Sequence, residues 1–247
     1  MHAHDAIKST KGSVLIRSPS GDTDIFVIAV ATVSSSPRLC LDYGVGKQRN
    51  TINLNKIPIS QQIKSSLIGF HSFTGNDYVS SFFRKGKATC FNLMKENSEF
   101  LDAFAALGES WYLSEDVANQ LESFVCKLYG YKDSNINNVR KKIFEKKCKK
   151  EGKIVDLANL PPCKSVLKLH MLRANYVAKV WKCSLQNIVD YPDITLHGWN
   201  EDGSIKWVDE VFPSDVEDIL LHEGYKDDDE NPEEDSYEPS DDDDDEF

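Results

Sequence analysis

Residues 25–33, IFVIAVATV, are nine consecutive residues that are apolar on all sides. Such a run has no face to offer water, so it must be covered all round wherever the chain places it. Periodicity does not separate a buried strand from a buried helix at this length. The residues in front of it favour a helix. Asp22 and Asp24 stand where acidic side chains cap free backbone N–H groups and meet the positive end of a helix dipole. Residues 14–16, ahead of them, read as a short buried strand closed by the turn SPSG.

Further along, RLCLDYG and RNTINLNKI read as the two strands of a hairpin whose loop, GVGKQ, carries glycines. ISQQIKSSLIGFHSF has helical spacing at Ile63, Leu67, Ile68 and Phe70, and breaks at Gly75. VSSFFRKGKATCFNLMKEN is expected to form a helix–turn–helix, with RKGK as the turn and residues 88–94 as the second helix. Residues 98–130 are amphipathic at helical period, with Phe100, Phe104, Leu107, Leu121, Phe124, Val125 and Leu128 as core candidates. A basic helix is expected over 138–150. A long helix opens at the prolines of LPPCK and runs to about residue 185. HGWNEDGSIKWVDEVFP reads as a small hairpin around an Asp-Gly turn, with Trp181, Trp199 and Trp207 closing a small core or, where exposed, offering faces for stacking on bases. PSDVEDILL is a last short helix.

The net charge of −11 hides an asymmetry. Fourteen of the 40 acids lie in residues 227–247, which hold no base, so the other 26 face 29 bases in the rest of the chain. The chain reads as a mildly basic body with an acidic tail too poor in apolar residues to fold and expected to be disordered. The tail serves solubility or, as a sharper alternative, imitates nucleic acid and competes for a basic groove on this or another protein. No apolar run approaches the ~18 residues of a membrane span. The opening residues, MHAHDAIKSTKGS, hold no apolar signal core. Cys40, Cys90, Cys126, Cys148, Cys163 and Cys183 occur singly, which suits reduced thiols in the cytosol or nucleus rather than a zinc or redox motif.

Three places carry candidate chemistry. Carboxylates at i and i+2, such as Asp22 and Asp24, repel each other unless a cation sits between them. Mg²⁺ takes oxygen ligands and commonly one or two carboxylates, so the D-x-D is a metal candidate as well as a pair of helix caps. Asp77, in the phrase GND, is either a further ligand or an Asx-type turn residue. RKKIFEKKCKK, residues 140–150, carries seven bases and one acid. Spread around a helix, these cations suit phosphate contacts, a nuclear import signal or a plain solvated surface. His170, Arg173, Asn175 and Tyr176 read as packing, because no carboxylate or cysteine pattern completes a hydrolytic triad or a zinc set.

The order strand, D-x-D, helix, strand pair, helix, TGNDY, helix, basic glycine turn, helix resembles the flap-endonuclease branch of the PIN-like nucleases. The matching residues are Asp22 and Asp24, then Gly75, Asp77 and Tyr78, then RKGK with Gly86. More closely, IRSP with DTD, FHSFTGNDYVSSFFRKGK, LGESW, LPPCKSVLKLHMLRANYVAKVW and HGW resemble a group of multicopy metazoan proteins that carry this domain. The likeness covers most of residues 1–212. It implies a Rossmann-like α/β layer and a two-metal phosphodiesterase ancestry. Asp22, Asp24 and Asp77 would then hold Mg²⁺, with Mn²⁺ as the alternative. The family carries further acids and strands ahead of the helix that MHAHDAIKS resembles, so the chain is expected to be N-terminally truncated relative to the family. Its metal site would be incomplete and its sheet would show an apolar edge that a second copy could cover.

The expected architecture is an α/β fold with a partial PIN-type layer over residues 1–96, including the helix–turn–helix. A mainly helical region with a tryptophan-rich hairpin would follow over 97–226, and a disordered acidic tail over 227–247. The expected function is nucleic-acid binding, to DNA or RNA, by a nuclease-derived protein whose endo- or exonuclease activity is impaired; no catalytic residue is assigned. Arg84, Lys85, Gly86 and Lys87 would grip the phosphodiester backbone, with Arg140, Lys141, Lys142, Lys146 and Lys147 extending the strip. A nuclear site is favoured over a cytoplasmic one. The alternative is an inactive protein-interaction module in which the helical region and acidic tail bind a basic partner.

Overall fold

The computed structural model describes residues 2–18, 22–33, 39–148 and 156–208. The acidic tail, the helix expected at PSDVEDILL, and Lys149 and Lys150 lie outside these residues. The described chain is a mixed α/β structure in which three strands form a small sheet in the order β1 (Val14–Arg17), β2 (Leu39–Tyr43), β3 (Asn50–Asn53). β1 and β2 are parallel, with Val14 beside Leu39 and Arg17 beside Asp42. Parallel neighbours need a crossover, and helix α2 (Thr23–Val33) supplies it. β2 returns into β3 as the predicted antiparallel hairpin, Cys40 opposite Asn53 and Tyr43 opposite Asn50. Helix α1 (His2–Ser9) packs against β1. Near the end of β2, Asp42 is held by two guanidinium groups. Arg49 donates to both its oxygens, at 2.7 and 2.6 Å, and Arg17 Nε donates to Oδ2 at 3.2 Å. The Arg49 hydrogen bonds hold the Asp42 carboxyl below its ordinary range, with burial opposing them.

The all-round apolarity of α2 has a direct cause. Ala29 and Val30 pack with Leu39, Leu41 and Leu54 on the sheet side, whereas Val27 joins the larger helical core. That core is organised by α3 (Gln61–Phe73), whose first turn is capped by Ser60 Oγ accepting from the Ile63 N–H. α3 packs on α2, α5 (Ser98–Ala106) and α8 (Lys164–Lys182). Its Gly69 lets the helices touch: a Cβ there would come within 2.1 Å of the Phe104 carbonyl oxygen. Helices α4 (Lys87–Lys95), α6 (Glu115–Leu128) and α7 (Ile136–Cys148) complete the core. Phe70, Phe73, Phe100, Phe104 and Phe124 meet edge to face, with centroids 4.9 to 6.2 Å apart. The boundary expected near residue 96 runs through this core, because α3 and α4 share it with α5, α6 and α8.

Several local expectations need correction. No helix forms over residues 79–83. Val79 and Phe82 turn inward, and the segment is held by the Asn76 N–H donating to the Val79 carbonyl at 2.9 Å and the Lys85 N–H to the Phe82 carbonyl at 3.1 Å. A five-residue stretch of Val, Ser, Ser, Phe and Phe lacks both the length and the propensity to nucleate a helix against these contacts. Residues 98–130 are two helices rather than one pattern. The chain leaves α5 at Leu107 and turns at Gly108, where φ is +81° and a Cβ would lie 2.7 Å from the Ala178 backbone. The tryptophan hairpin shrinks to one antiparallel bridge between Trp199 and Ile205. Trp207 is 81 % exposed rather than part of a core among the described residues. All six cysteines are free. No helix among the described residues is long and apolar enough to cross a membrane.

Candidate functional site

The ends of four helices meet at one histidine. Ser18 Oγ accepts the Asp22 N–H at 3.0 Å, and Asp22 Oδ1 accepts the Asp24 N–H at 2.9 Å, so Asp22 caps α2. That cap fixes the first turn of α2 and aims Asp24 at the last turn of α3. There Asp24 Oδ1 lies 2.7 Å from Nε2 of His71, which is 4 % exposed. The other ring nitrogen of His71, Nδ1, lies 2.7 Å from Nζ of Lys87, the first residue of α4. Trp181, near the end of α8, stacks on the imidazole with centroids 5.5 Å apart and planes 25° apart.

A carboxylate only accepts and an ammonium only donates, which fixes the proton positions. Nε2–H donates to Asp24, and Nδ1 accepts from Lys87. The ring between them is therefore neutral. Burial pushes His71 below its ordinary value against the Asp24 hydrogen bond, and the Lys87 charge adds to the fall. Burial lowers Lys87 as well, with Asp24 opposing. The result is a carboxylate–imidazole–ammonium chain that fixes one cation in place. It also offers a short path for a proton between Nζ and Asp24, because the imidazole can accept at one nitrogen while donating at the other.

The expected metal ligands are not all drawn together. Asp22 and Asp24 adjoin, and both act on His71. Each has given one oxygen to the protein itself, and the cation beside them is Lys87. Asp77 is exposed, and its carboxylate meets no partner among the described residues. The Asx role in that turn belongs to Asn76, whose Oδ1 accepts the Tyr78 N–H at 2.9 Å. Among the described residues no three His, Cys, Asp or Glu side chains converge as a metal ion requires.

Of the loop expected to grip phosphate, Arg84, Gly86 and Lys87 are exposed and Lys85 is half-buried. Arg84 is exposed in a left-handed conformation, φ 54°, with its guanidinium 5.3 Å from the Phe83 ring centroid. The Lys85 ammonium lies 5.0 Å from the Tyr129 ring centroid. Gly86 is the N-cap of α4 and brings no side chain to it, so the first N–H groups of that helix remain open to an anion. The basic helix α7 is less free than its composition suggested. Arg140 donates to the Pro161 carbonyl, Lys142 pairs with Asp133 at 3.3 Å, and Lys141 reaches Glu145 at 3.8 Å. Lys146 is exposed and Lys147 is half-buried. Of the α7 cations, Arg140 approaches the loop, lining a cavity together with Phe83 and Tyr129.

Sequence reasoning missed His71 and the contact Trp181 makes with it. The available signal was a lone titratable side chain, followed by Ser and flanked by phenylalanines, inside the apolar stripe of α3. Compared with known proteins, the chain matches no family model, no curated protein and no solved structure.

Proposed function

We propose that this chain binds nucleic acid through phosphate contacts of Arg84, Lys85, Lys87 and the N-terminus of α4. We read it as a protein derived from PIN-like, flap-endonuclease-type nucleases whose metal-dependent cleavage is impaired. One observation supports this reading best. The D-x-D phrase and the RKGK phrase lie far apart in sequence, yet Asp24 of the first and Lys87 of the second are joined through His71. A fixed ammonium beside open helix N–H groups suits a phosphate oxygen. It also supplies next to Asp24 a positive charge that a divalent ion would otherwise bring. On this reading binding does not need Mg²⁺ or Mn²⁺, and divalent ions attach weakly.

The test is fluorescence anisotropy with labelled single- and double-stranded DNA and RNA, across a salt series, in EDTA and in Mg²⁺. Binding should be salt-dependent and similar in EDTA and Mg²⁺. Lys87→Met should reduce the slope of log affinity against log salt by about 1, as loss of one phosphate contact does. No salt-dependent binding to any of these probes, or a Lys87→Met chain that binds as the parent does, would overturn the proposal. Efficient Mg²⁺-dependent cleavage of the probes would overturn the impaired-nuclease part.

A further inference from the structure

Arg173, in the middle of α8, is 5 % exposed. Its Nη1 donates to the Gly198 carbonyl at 3.1 Å, while its Nε is sealed from solvent without an acceptor. Burial alone lowers the guanidinium from its ordinary value, and no carboxylate among the described residues acts on it. Charges inside proteins are normally paired, because an unpaired one forfeits its hydration. Among the described residues Arg173 has no counter-ion.

The same Arg173 lines a cavity of about 370 Å³, a size usual for small-molecule sites. The segment ahead of the basic loop, the end of α6, the first half of α7, residues 157–163 and α8 line it, and it opens to the surface. Its buried polar part is Arg173 with His170. The His170 Nε2–H is committed to the Phe73 carbonyl at 2.8 Å, which leaves Nδ1 as an acceptor. Its walls are apolar or aromatic: Phe83, Tyr129, Leu157, Leu160 and Val166. Phe83, Leu157 and Val166 stay exposed, as the rim of a pocket does. Arg140 adds a second guanidinium, and no acid lines the cavity among the described residues.

We propose that this cavity binds a small organic anion. One carboxylate or phosphate group pairs with Arg173, and an apolar or aromatic body lies between Phe83 and Tyr129 on one side and Leu157 and Leu160 on the other. A polynucleotide backbone is met by exposed cations, whereas Arg173 lies below the surface and is served by a ligand that enters. The site is separate from Asp24, His71 and Lys87, and does not depend on the nucleic-acid reading.

The full chain can be titrated with 1-anilinonaphthalene-8-sulfonate, an aromatic monoanion that fluoresces in apolar surroundings, with octanoate and phenyl phosphate as competitors. The expected result is one saturable dye site per chain, displaced by one or both small anions; which one displaces it tells carboxylate from phosphate. Ala158→Trp, at an exposed position lining the cavity, should weaken the dye at least about tenfold with an unchanged melting temperature. Arg173→Met should weaken the anionic dye while leaving the neutral N-phenyl-1-naphthylamine bound. Should that variant fail to fold, Ala158→Trp decides. Absence of a saturable site, unchanged dye affinity in Ala158→Trp, or displacement by a single-stranded oligonucleotide but by neither small anion would overturn the proposal.

Discussion

Acid should destabilise this protein above the pH at which ordinary carboxylates protonate, and His170 sets the size of the effect. Its ring lies against Phe73 and Phe82, with centroids 4.9 Å from each. Burial lowers its pKa to about 4, with the Phe73 hydrogen bond working against the fall and the Arg173 charge working with it. In the unfolded chain the same group titrates at about 6.5. Between these values the unfolded state binds a proton that the folded state refuses, so stability rises with pH across the window. The contribution is fully present above about 6.5 and is lost as pH falls toward 4. A gap of about 2.5 units at 1.36 kcal/mol per unit comes to about 3 kcal/mol, a large part of the about 5–15 kcal/mol that holds a domain folded. His71 and His197, both lowered by burial, act in the same direction. Urea unfolding at a series of pH values between about 7.5 and 4 measures the loss, and the ring proton shifts of His170 measure its titration directly. His170→Gln keeps a donor near the Phe73 carbonyl and removes the titration, so its stability should fall by about 3 kcal/mol less over the same range. A His170 resonance that titrates above about pH 6, or a variant that keeps the full pH dependence, would refute the reasoning.

Other substitutions probe the packing and the site. Gly69→Ala forces a methyl group to within 2.1 Å of the Phe104 carbonyl. It should cost about 3 kcal/mol in urea unfolding, since α3 and α5 must part. Phe124→Ala opens a cavity among the rings of Phe73, Phe100 and Phe104 and should cost about 3–5 kcal/mol by the same assay. Ser60→Ala removes the cap of α3 and should cost about 1 kcal/mol. Asp24→Asn removes the interaction that holds the His71 pKa up, so the ring should titrate still lower by NMR; a higher value would contradict the hydrogen-bond chain.

Much of the fold was legible because its signals are local. Strand β1, though half-exposed rather than buried as expected, the buried helix α2, the β2–β3 hairpin and the long helix α8 all follow from apolar runs, turn residues and caps. The failures have a common cause. The sequence of residues 79–83 reads as a helix ahead of the RKGK turn, whereas Val79 and Phe82 are claimed by the core and leave the backbone in turns. The cations of α7 looked like one solvated strip, but Arg140, Lys141 and Lys142 are partly engaged by Pro161, Glu145 and Asp133, which no periodicity reports. At the site, Asp22, Asp24 and Lys87 could be named from sequence. Their link, His71, could not, because it depends on how the last turn of α3 meets the first turns of α2 and α4. The aspartate pair also shows how one pattern carries two meanings: Asp22 caps, and Asp24 reaches a side chain forty-seven residues away.

The sign of charge at these helix ends argues for an anion. Asp24 sits in the first turn of α2, where a carboxylate is favourable to the dipole. Lys87 sits at the first position of α4, where a cation is unfavourable, and its direct partner is a neutral imidazole rather than a carboxylate. Arg84 and Lys85 immediately precede it, and the helix N–H groups behind Gly86 carry no side-chain cap. Positive charge is therefore concentrated at this helix end, with Asp24 acting on Lys87 directly and, together with Asp22, on the histidine beside it. A phosphate group at the N-terminus of α4 would offset part of this positive charge, and a divalent cation placed there would add to it.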